Sequence, residues 1–192
     1  LTRTDYGKAD PGRTGASVKV ARNQVDVWIP GIGIEYEFSP YVQAFAGIHR
    51  GFAPPGSSEG TDPEKSINYE VGSRINQNQF SAQGVIYFND YSNLLGSDLA
   101  ASGGTGTGDQ FNAGAAAVYG IEAEAGYVLV PGGMPSFTVP VSLAYTYTYG
   151  EFNSSFAASN EDWGTVQNGD QFPYLSNHQL TINVGIDHRL FN

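Results

Sequence analysis

Residues 63–91 read PEKSINYEVGSRINQNQFSAQGVIYFNDY, and the alternation inside this stretch decides the fold. Its first arm puts Ile67, Tyr69, Val71, Ser73 and Ile75 on one side and Ser66, Asn68, Glu70, Gly72 and Arg74 on the other. The second arm repeats the pattern, with Phe80, Ala82, Gly84, Ile86 and Phe88 against Ser81, Gln83, Val85, Tyr87 and Asn89. Side chains on a strand alternate between faces, so both arms read as β-strands with one apolar and one polar face. Asn76-Gln77-Asn78-Gln79 is read as the hairpin loop, which sets Ile75 opposite Phe80, Val71 opposite Gly84 and Ile67 opposite Phe88. A slip of one residue would scramble both faces together.

The same period extends in both directions. Upstream, Ile32, Ile34, Tyr36 and Phe38 alternate with Gly33, Glu35 and Glu37. A Ser39-Pro40-Tyr41 turn is then expected to pair Phe38 with Val42, and Val42, Ala44, Ala46 and Ile48 alternate with Gln43, Phe45, Gly47 and His49. Downstream, alternation recurs from Tyr119 to Leu129, from Phe137 to Tyr149, and from Leu180 to Asp187. Seven strands result. Residues 1–28 read as a long loop with a short strand near Ser17–Val20. Gly51–Asp62, Ser92–Ala117 and Glu151–Phe172 read as long loops, and Pro131–Pro135 as a turn.

Long and short connections therefore alternate along the chain. Outer-membrane barrels keep this rhythm, with short periplasmic turns and long extracellular loops. From Phe137 to Tyr147 a strand rises about 3.3 Å per residue, and a tilt of about 40° brings this to roughly 25 Å, the height of a barrel's apolar band. Phe137 at one end and Tyr145, Tyr147 and Tyr149 at the other suit interfacial aromatic girdles. The expected fold class is all-β: an antiparallel up-and-down transmembrane β-barrel, present as a partial barrel of about seven or eight strands. The competing reading is a soluble sandwich with the apolar face as its core.

Composition agrees. The 192 residues include 25 Gly, 12 Tyr and 11 Phe, which favour sheets and tight turns over helices. Mean hydropathy is −0.27, and no apolar run approaches the ~20 residues of a membrane helix. Strands that are apolar only at alternate positions escape that test. A net charge of −10 argues against nucleic acid, whose phosphates need clustered Lys and Arg. With no cysteine there is neither a disulfide framework nor a thiolate metal site. Leu1-Thr2-Arg3-Thr4-Asp5 has no apolar core of a signal peptide, so the chain is expected to be a processed or internal piece. The polar face carries Glu35, Glu37, Gln43, Asn68, Glu70, Arg74, Gln83, Glu122 and Glu124. That suits a wide lumen holding water or another polar domain.

PEKSINYEVGSR (Pro63–Arg74) resembles a Pro-Glu-x-Ser-x-x-Tyr-Glu-x-Gly-x-Arg signature of TonB-dependent outer-membrane receptors. GIHRGFAPP (Gly47–Pro55), VIYFNDYSNLLG (Val85–Gly96) and GDQFNAG (Gly108–Gly114) add a likeness to the ferric dicitrate receptor branch, extending over about Trp28–Asp187. The resemblance implies a barrel of about 22 strands with an N-terminal plug in its lumen. It also implies uptake of a ferric chelate (ferric citrate or a siderophore) across the bacterial outer membrane, driven by the TonB complex through an N-terminal box. Residues 1–192 then correspond to a partial C-terminal β-barrel domain, without the plug, the TonB box or the other strands. The expected partners are the ferric chelate, the TonB complex through the absent plug and box, and outer-membrane lipid; nucleic acid is excluded. A transporter is expected, not an enzyme, and without a cofactor. A general porin or passive channel is the alternative, followed by a barrel-type hydrolase and a soluble binding module.

The resemblance supplies no ligand map, so candidate residues come from chemistry. An anionic chelate suits Arg, whose planar fork binds carboxylates in pairs. His49 and Arg50, at the extracellular end of their strand with His49 on the lumen face, are the ligand-binding candidates; holding the Phe52–Pro55 loop is the plainer role. Glu70 and Arg74 are the plug-facing candidates, able to pair with each other or with a plug, or simply solvated. Gly103–Gly108 lacks the Lys-Ser/Thr of a phosphate loop. Glu122 and Glu124 have no environment that would split their pKa values for acid–base work. His49, His178 and His188 show no metal-ligand spacing. Glu161 and Asp162 beside Trp163 read as a solvated loop tip.

Overall fold

The structure, a computed structural model, describes residues 26–55, 61–97, 110–132, 136–157 and 164–188. The expected strand near Ser17–Val20, the Gly103–Gly108 run and the Glu161–Trp163 tip lie outside these residues.

Among the described residues there are ten strands: β1 (Gly31–Ser39), β2 (Val42–Ala53), β3 (Glu64–Gln77), β4 (Phe80–Ser97), β5 (Gln110–Leu129), β6 (Phe137–Phe152), β7 (Phe156–Ala157), β8 (Thr165–Val166), β9 (His178–Val184) and β10 (Asp187–His188). The first six pair antiparallel in chain order, and β9 and β10 both pair with β6. These last two are one strand with a gap. Val184 opposite Val141 and Asp187 opposite Thr138 keep a single register. At the gap Gly185 donates its N–H to the Pro140 carbonyl at 2.9 Å. Pro140 has no N–H to return, so the ladder is interrupted there. The wall thus has seven strands, as the alternation predicts, and is a partial barrel.

The deciding hairpin forms with a correction. Gln77 pairs with Phe80, Val71 with Ile86 and Tyr69 with Phe88, so the turn is the two residues Asn78-Gln79 rather than four. Asn78 sits at φ 52°, the left-handed conformation that tight hairpin turns require and asparagine tolerates. The expected register was off by two residues, and a two-residue error preserves both faces. At the β1–β2 turn, Tyr36 pairs with Ala44 as expected, but Ser39 rather than Phe38 faces Val42. Phe38 is the extra residue of an irregularity in the ladder, and it packs edge-on against Tyr36 at 4.8 Å.

Three segments read as loops turn out to be partly strand. In Gly51–Asp62 β2 continues through Ala53, in Ser92–Ala117 β4 continues through Ser97 and β5 begins at Gln110, and in Glu151–Phe172 β6 runs on to Phe152 with β7 and β8 beyond it. Leu95 pairs with Asn112 and Gly96 with Phe111, so the ladder persists where the alternation of side chains has stopped. Apolar alternation reports only the part of a strand that needs one apolar face.

That face is continuous. One row runs Ile34, Ala46, Val71, Ile86, Ile121 and Tyr147 across β1 to β6. The next runs Ile32, Ile48, Tyr69, Phe88, Tyr119 and Tyr149. Its rings stack from strand to strand, Phe88 on Tyr119 at 6.3 Å and Tyr119 on Tyr149 at 5.2 Å. Ile32, Ile34 and Phe38 on β1, and Leu180, Ile182 and Val184 on β9, expose between 61% and 75% of their surface. Val139 and Val141 are half-exposed and Leu143 is exposed, which rules out the sandwich core. Gly84 on this face has open space where a Cβ would stand. Since glycine within a strand costs about 0.5–1 kcal/mol relative to alanine, Gly84→Ala should stabilise the wall by about that amount in denaturant titration; a loss of stability would show that this face is covered.

Candidate functional site: the polar inner wall and its cap

On the opposite face the registers collect the charged residues into rows. Glu37, Gln43, Arg74, Gln83 and Glu124 form one; Glu35, Phe45, Gly72, Val85 and Glu122 form the next. Gly33, Gly47, Glu70, Tyr87, Gly120 and Thr148 form a third, and Gly31, His49, Asn68, Asn89 and Val118 a fourth. Five glutamates face one arginine, so this part of the wall is acidic.

The long side chains on it lie flat. Glu70 folds over Gly47, where a Cβ would come within 2.8 Å of its carboxylate. The Phe45 ring covers Gly72. Tyr87 crosses Gly120 to share a 2.9 Å hydrogen bond with the Thr148 hydroxyl. Arg74 stands over the Phe45 ring at 5.7 Å and donates from Nε to the Gln83 side-chain oxygen at 2.8 Å. Glycines thus accept neighbouring side chains across the wall instead of leaving them to fill the space in front of it. Gly120 is the tightest of these sites, because a Cβ there would also strike the Tyr147 carbonyl oxygen. Gly120→Val should cost about 1–3 kcal/mol by overpacking, read as a lower denaturation midpoint of the intact receptor; wild-type stability would contradict the close approach.

The candidate residues do not converge. His49 lies on the polar face, in a recess of about 360 Å³ with Asn68, Glu70, Tyr87, Asn89 and Glu122. Arg50 lies on the apolar face, in the row of Ile67 and Asp90. Adjacent residues on one strand alternate between faces, so the His49 side chain belongs to the polar row and Arg50 to the apolar one, although both residues border the recess beside Ile32 and Ile48. Glu70 and Arg74 share the polar face but stand four residues apart, about 13 Å along the strand. Arg74 takes Phe45 and Gln83 as its partners, not Glu70. A second recess of about 450 Å³ contains Arg74, Gln83, Glu124, Ser142 and Asn183.

Sequence reading misses the cap. Glu151–Phe172 carries no alternation, yet its described parts, 151–157 and 164–172, pack on the polar side of the extended strands. Ala113, Ala116, Phe152 and Val166 form a buried cluster, flanked by Tyr91, Leu94, Phe111, Phe156 and Phe172. Phe152 packs against Phe172 at 4.6 Å and against Phe156 at 5.4 Å. Phe172 and Leu175 cover Gly150. Backbone bonds pin the segment, with Phe152 N–H donating to the Asp170 carbonyl, Gly169 N–H to that of Phe152 and Phe172 N–H to that of Gly150, at 2.7–2.9 Å. Burial, with Glu64 next in effect, pushes the Tyr91 hydroxyl above the ordinary tyrosine pKa. The sequence signal is the aromatic content of Glu151–Phe172, where Phe152, Phe156 and Phe172 stand with Trp163 in an otherwise mostly polar stretch. Among the described residues no group of three His, Asp or Glu side chains converges on a metal position.

An antiparallel wall with an exposed apolar face, an acidic polar face and a cap on its long-loop side defines part of a membrane β-barrel. The family model described as TonB dependent receptor-like, beta-barrel, matches residues 2–192, and the chain belongs to that family. Among solved structures it is similar to the siderophore receptor PirA from Pseudomonas aeruginosa, with 22% identity over 68% of this chain and a TM-score of 0.46. The chain spans 28% of the length of that receptor. No curated protein matches it.

Proposed function

We propose that this chain is part of the barrel wall of an outer-membrane receptor that imports a ferric chelate, ferric citrate or a siderophore, with energy supplied through TonB. The observation that carries this reading is the flat inner wall. Glu70, Phe45, Tyr87 and Arg74 lie against the strands, so the barrel does not fill its own lumen and leaves room for a polar plug domain. A porin would share the alternation of faces; membership of the receptor family favours the plugged form.

The charge of the wall assigns roles. An anionic chelate is repelled by Glu35, Glu37, Glu70, Glu122 and Glu124, so its recognition falls to the cap side and to parts of the receptor beyond these strands. His49, on the polar face nearest the cap, is the ligand-side candidate within the wall. Arg50 faces the other way and does not serve that role. Glu70 and Arg74 lie deeper and face the plug. Replacing His49 with alanine should weaken chelate binding about tenfold, the cost of one hydrogen bond to a charged group, measured by titration of the intact receptor with ferric citrate and with siderophores; unchanged affinity for all of them would remove His49 from the ligand path.

The function itself is tested in a strain lacking the intact receptor gene, grown under iron limitation. Uptake of one radiolabelled ferric chelate should disappear and return with the gene only when TonB is present. Uptake that persists, or that returns without TonB, contradicts the proposal.

A further inference from the structure

The position of Arg50 has a consequence on the lipid side of the wall. Arg50 lies one step beyond the ring of Ile32, Ile48, Tyr69, Phe88, Tyr119 and Tyr149, toward the cap. Two residues along a strand tilted about 40° is a rise of roughly 5 Å, the depth of headgroups just past an aromatic girdle. Lys65 is the diagonal neighbour of Arg50 on β3, since Arg50 pairs with Ile67 and Phe52 with Lys65. On that face the two cations share a recess of about 450 Å³ whose other walls include Ile32, Ile48, Ile67, Ser92 and Asp90. Among the described residues, neither cation forms an ion pair.

We propose that this recess binds a membrane lipid with a phosphate headgroup. Arg50 and Lys65 hold the phosphate, and an acyl chain runs down over Ile48, Ile32 and Ile67. Amphipathy picks the occupant: the cations sit at headgroup depth, Ile67 lies level with Arg50, and Ile48 and Ile32 lie one step below, in one concave surface. Asp90, on the far side of Ile67, is the single acid lining the recess, so its net charge favours an anion. Farther along the same level Ala117 and Glu151 offer no cation, which confines the site to the β2–β3 side. The inference rests on the membrane setting proposed above.

The test uses the intact receptor in a non-ionic detergent, titrated with short-chain phosphatidylglycerol, with phosphatidylcholine of equal chain length, and with inorganic phosphate. Bound adducts are counted by native mass spectrometry. Wild type should retain phosphatidylglycerol in preference to the other two. R50Q/K65Q should weaken it about thirtyfold, from two cations near an anionic headgroup, while R50K, which keeps the charge and guards against a folding artefact, should retain most of it. Equal retention of both lipids by wild type and R50Q/K65Q overturns the site while leaving the membrane setting intact. Retention of neither lipid overturns both. Inorganic phosphate held as tightly as phosphatidylglycerol would mean a free-anion site and also overturns the proposal.

Discussion

Replacing Phe152 with alanine in the intact receptor should release the cap and leave the wall standing. Phe152 is 2% exposed and central to the one buried cluster among the described residues. Truncating a buried phenylalanine costs about 3–5 kcal/mol, because contacts are lost and a cavity remains. Here the loss should stay local. Residues 169–172 are pinned mainly on Tyr149–Phe152, through three backbone hydrogen bonds to Gly150 and Phe152, the Gln171 amide on the Tyr149 hydroxyl and the Phe172 ring. The wall from β1 to the Phe80–Phe88 part of β4 is held by its own ladders, and β4 meets this cluster only beyond it, at Tyr91 and Leu94. Hydrogen exchange of the intact receptor separates the two. Amides of Phe152, Gly169 and Phe172 should exchange at least a hundredfold faster in Phe152→Ala, the equivalent of the lower end of that cost. Amides of Val71 and Ile86 should keep their wild-type protection. Faster exchange everywhere would mean that cap and wall unfold as one unit; no change at all would mean that the aromatic cluster does not hold the cap.

The second large effect separates neighbours on one strand. Ile86→Arg should cost about 2–4 kcal/mol, the penalty for a cation on the lipid side of a barrel near the bilayer midplane. Ile86 is 58% exposed and sits between Val71 and Ile121, one row inside the aromatic ring. Val85→Arg should cost little, because Val85 lies on the polar face opposite Glu122, whose carboxylate would receive the guanidinium. Folding free energies of the receptor in phospholipid vesicles, from denaturant titration, should differ by several kcal/mol between these adjacent substitutions. Equal costs would mean that the two faces do not see different solvents.

Both results draw on features that differ in how visible they are in the sequence. The two faces of the wall are written directly into Ile67, Tyr69, Val71, Ile86 and Phe88 against Asn68, Glu70, Arg74 and Gln83, because a strand half in lipid must alternate at every step. Register is less visible: four polar residues in a row at Asn76–Gln79 do not say which two make the turn, and the positive φ of Asn78 decides it. Strand ends are hidden for a related reason. Once β4 and β5 pass the aromatic ring they need no apolar outer face, so Ser92–Ser97 and Gln110–Ala117 lose the alternation, with Leu94, Leu95 and Phe111 set among small and polar residues, although their backbones stay paired. The cap is the least legible part, since Phe152, Phe156 and Phe172 meet through contacts spread over twenty residues with no period to reveal them. At the candidate site, alternation alone separates His49 from Arg50. It does not show that Arg74 prefers Phe45 and Gln83 to Glu70, nor that glycines let Glu70 and Tyr87 lie flat; those depend on which residues the registers bring side by side.

The central claim is that one face of this sheet meets lipid and the other a lumen. The most direct measurement introduces single cysteines in turn at each position from Ala82 to Phe88, in a stretch that has none of its own, in the intact receptor with any other cysteine replaced, spin-labels them and measures oxygen accessibility in phospholipid vesicles. Maxima are expected at Ala82, Gly84, Ile86 and Phe88 and minima at Gln83, Val85 and Tyr87. A profile with no period of two, or with its maxima on the odd-numbered positions, would contradict the account.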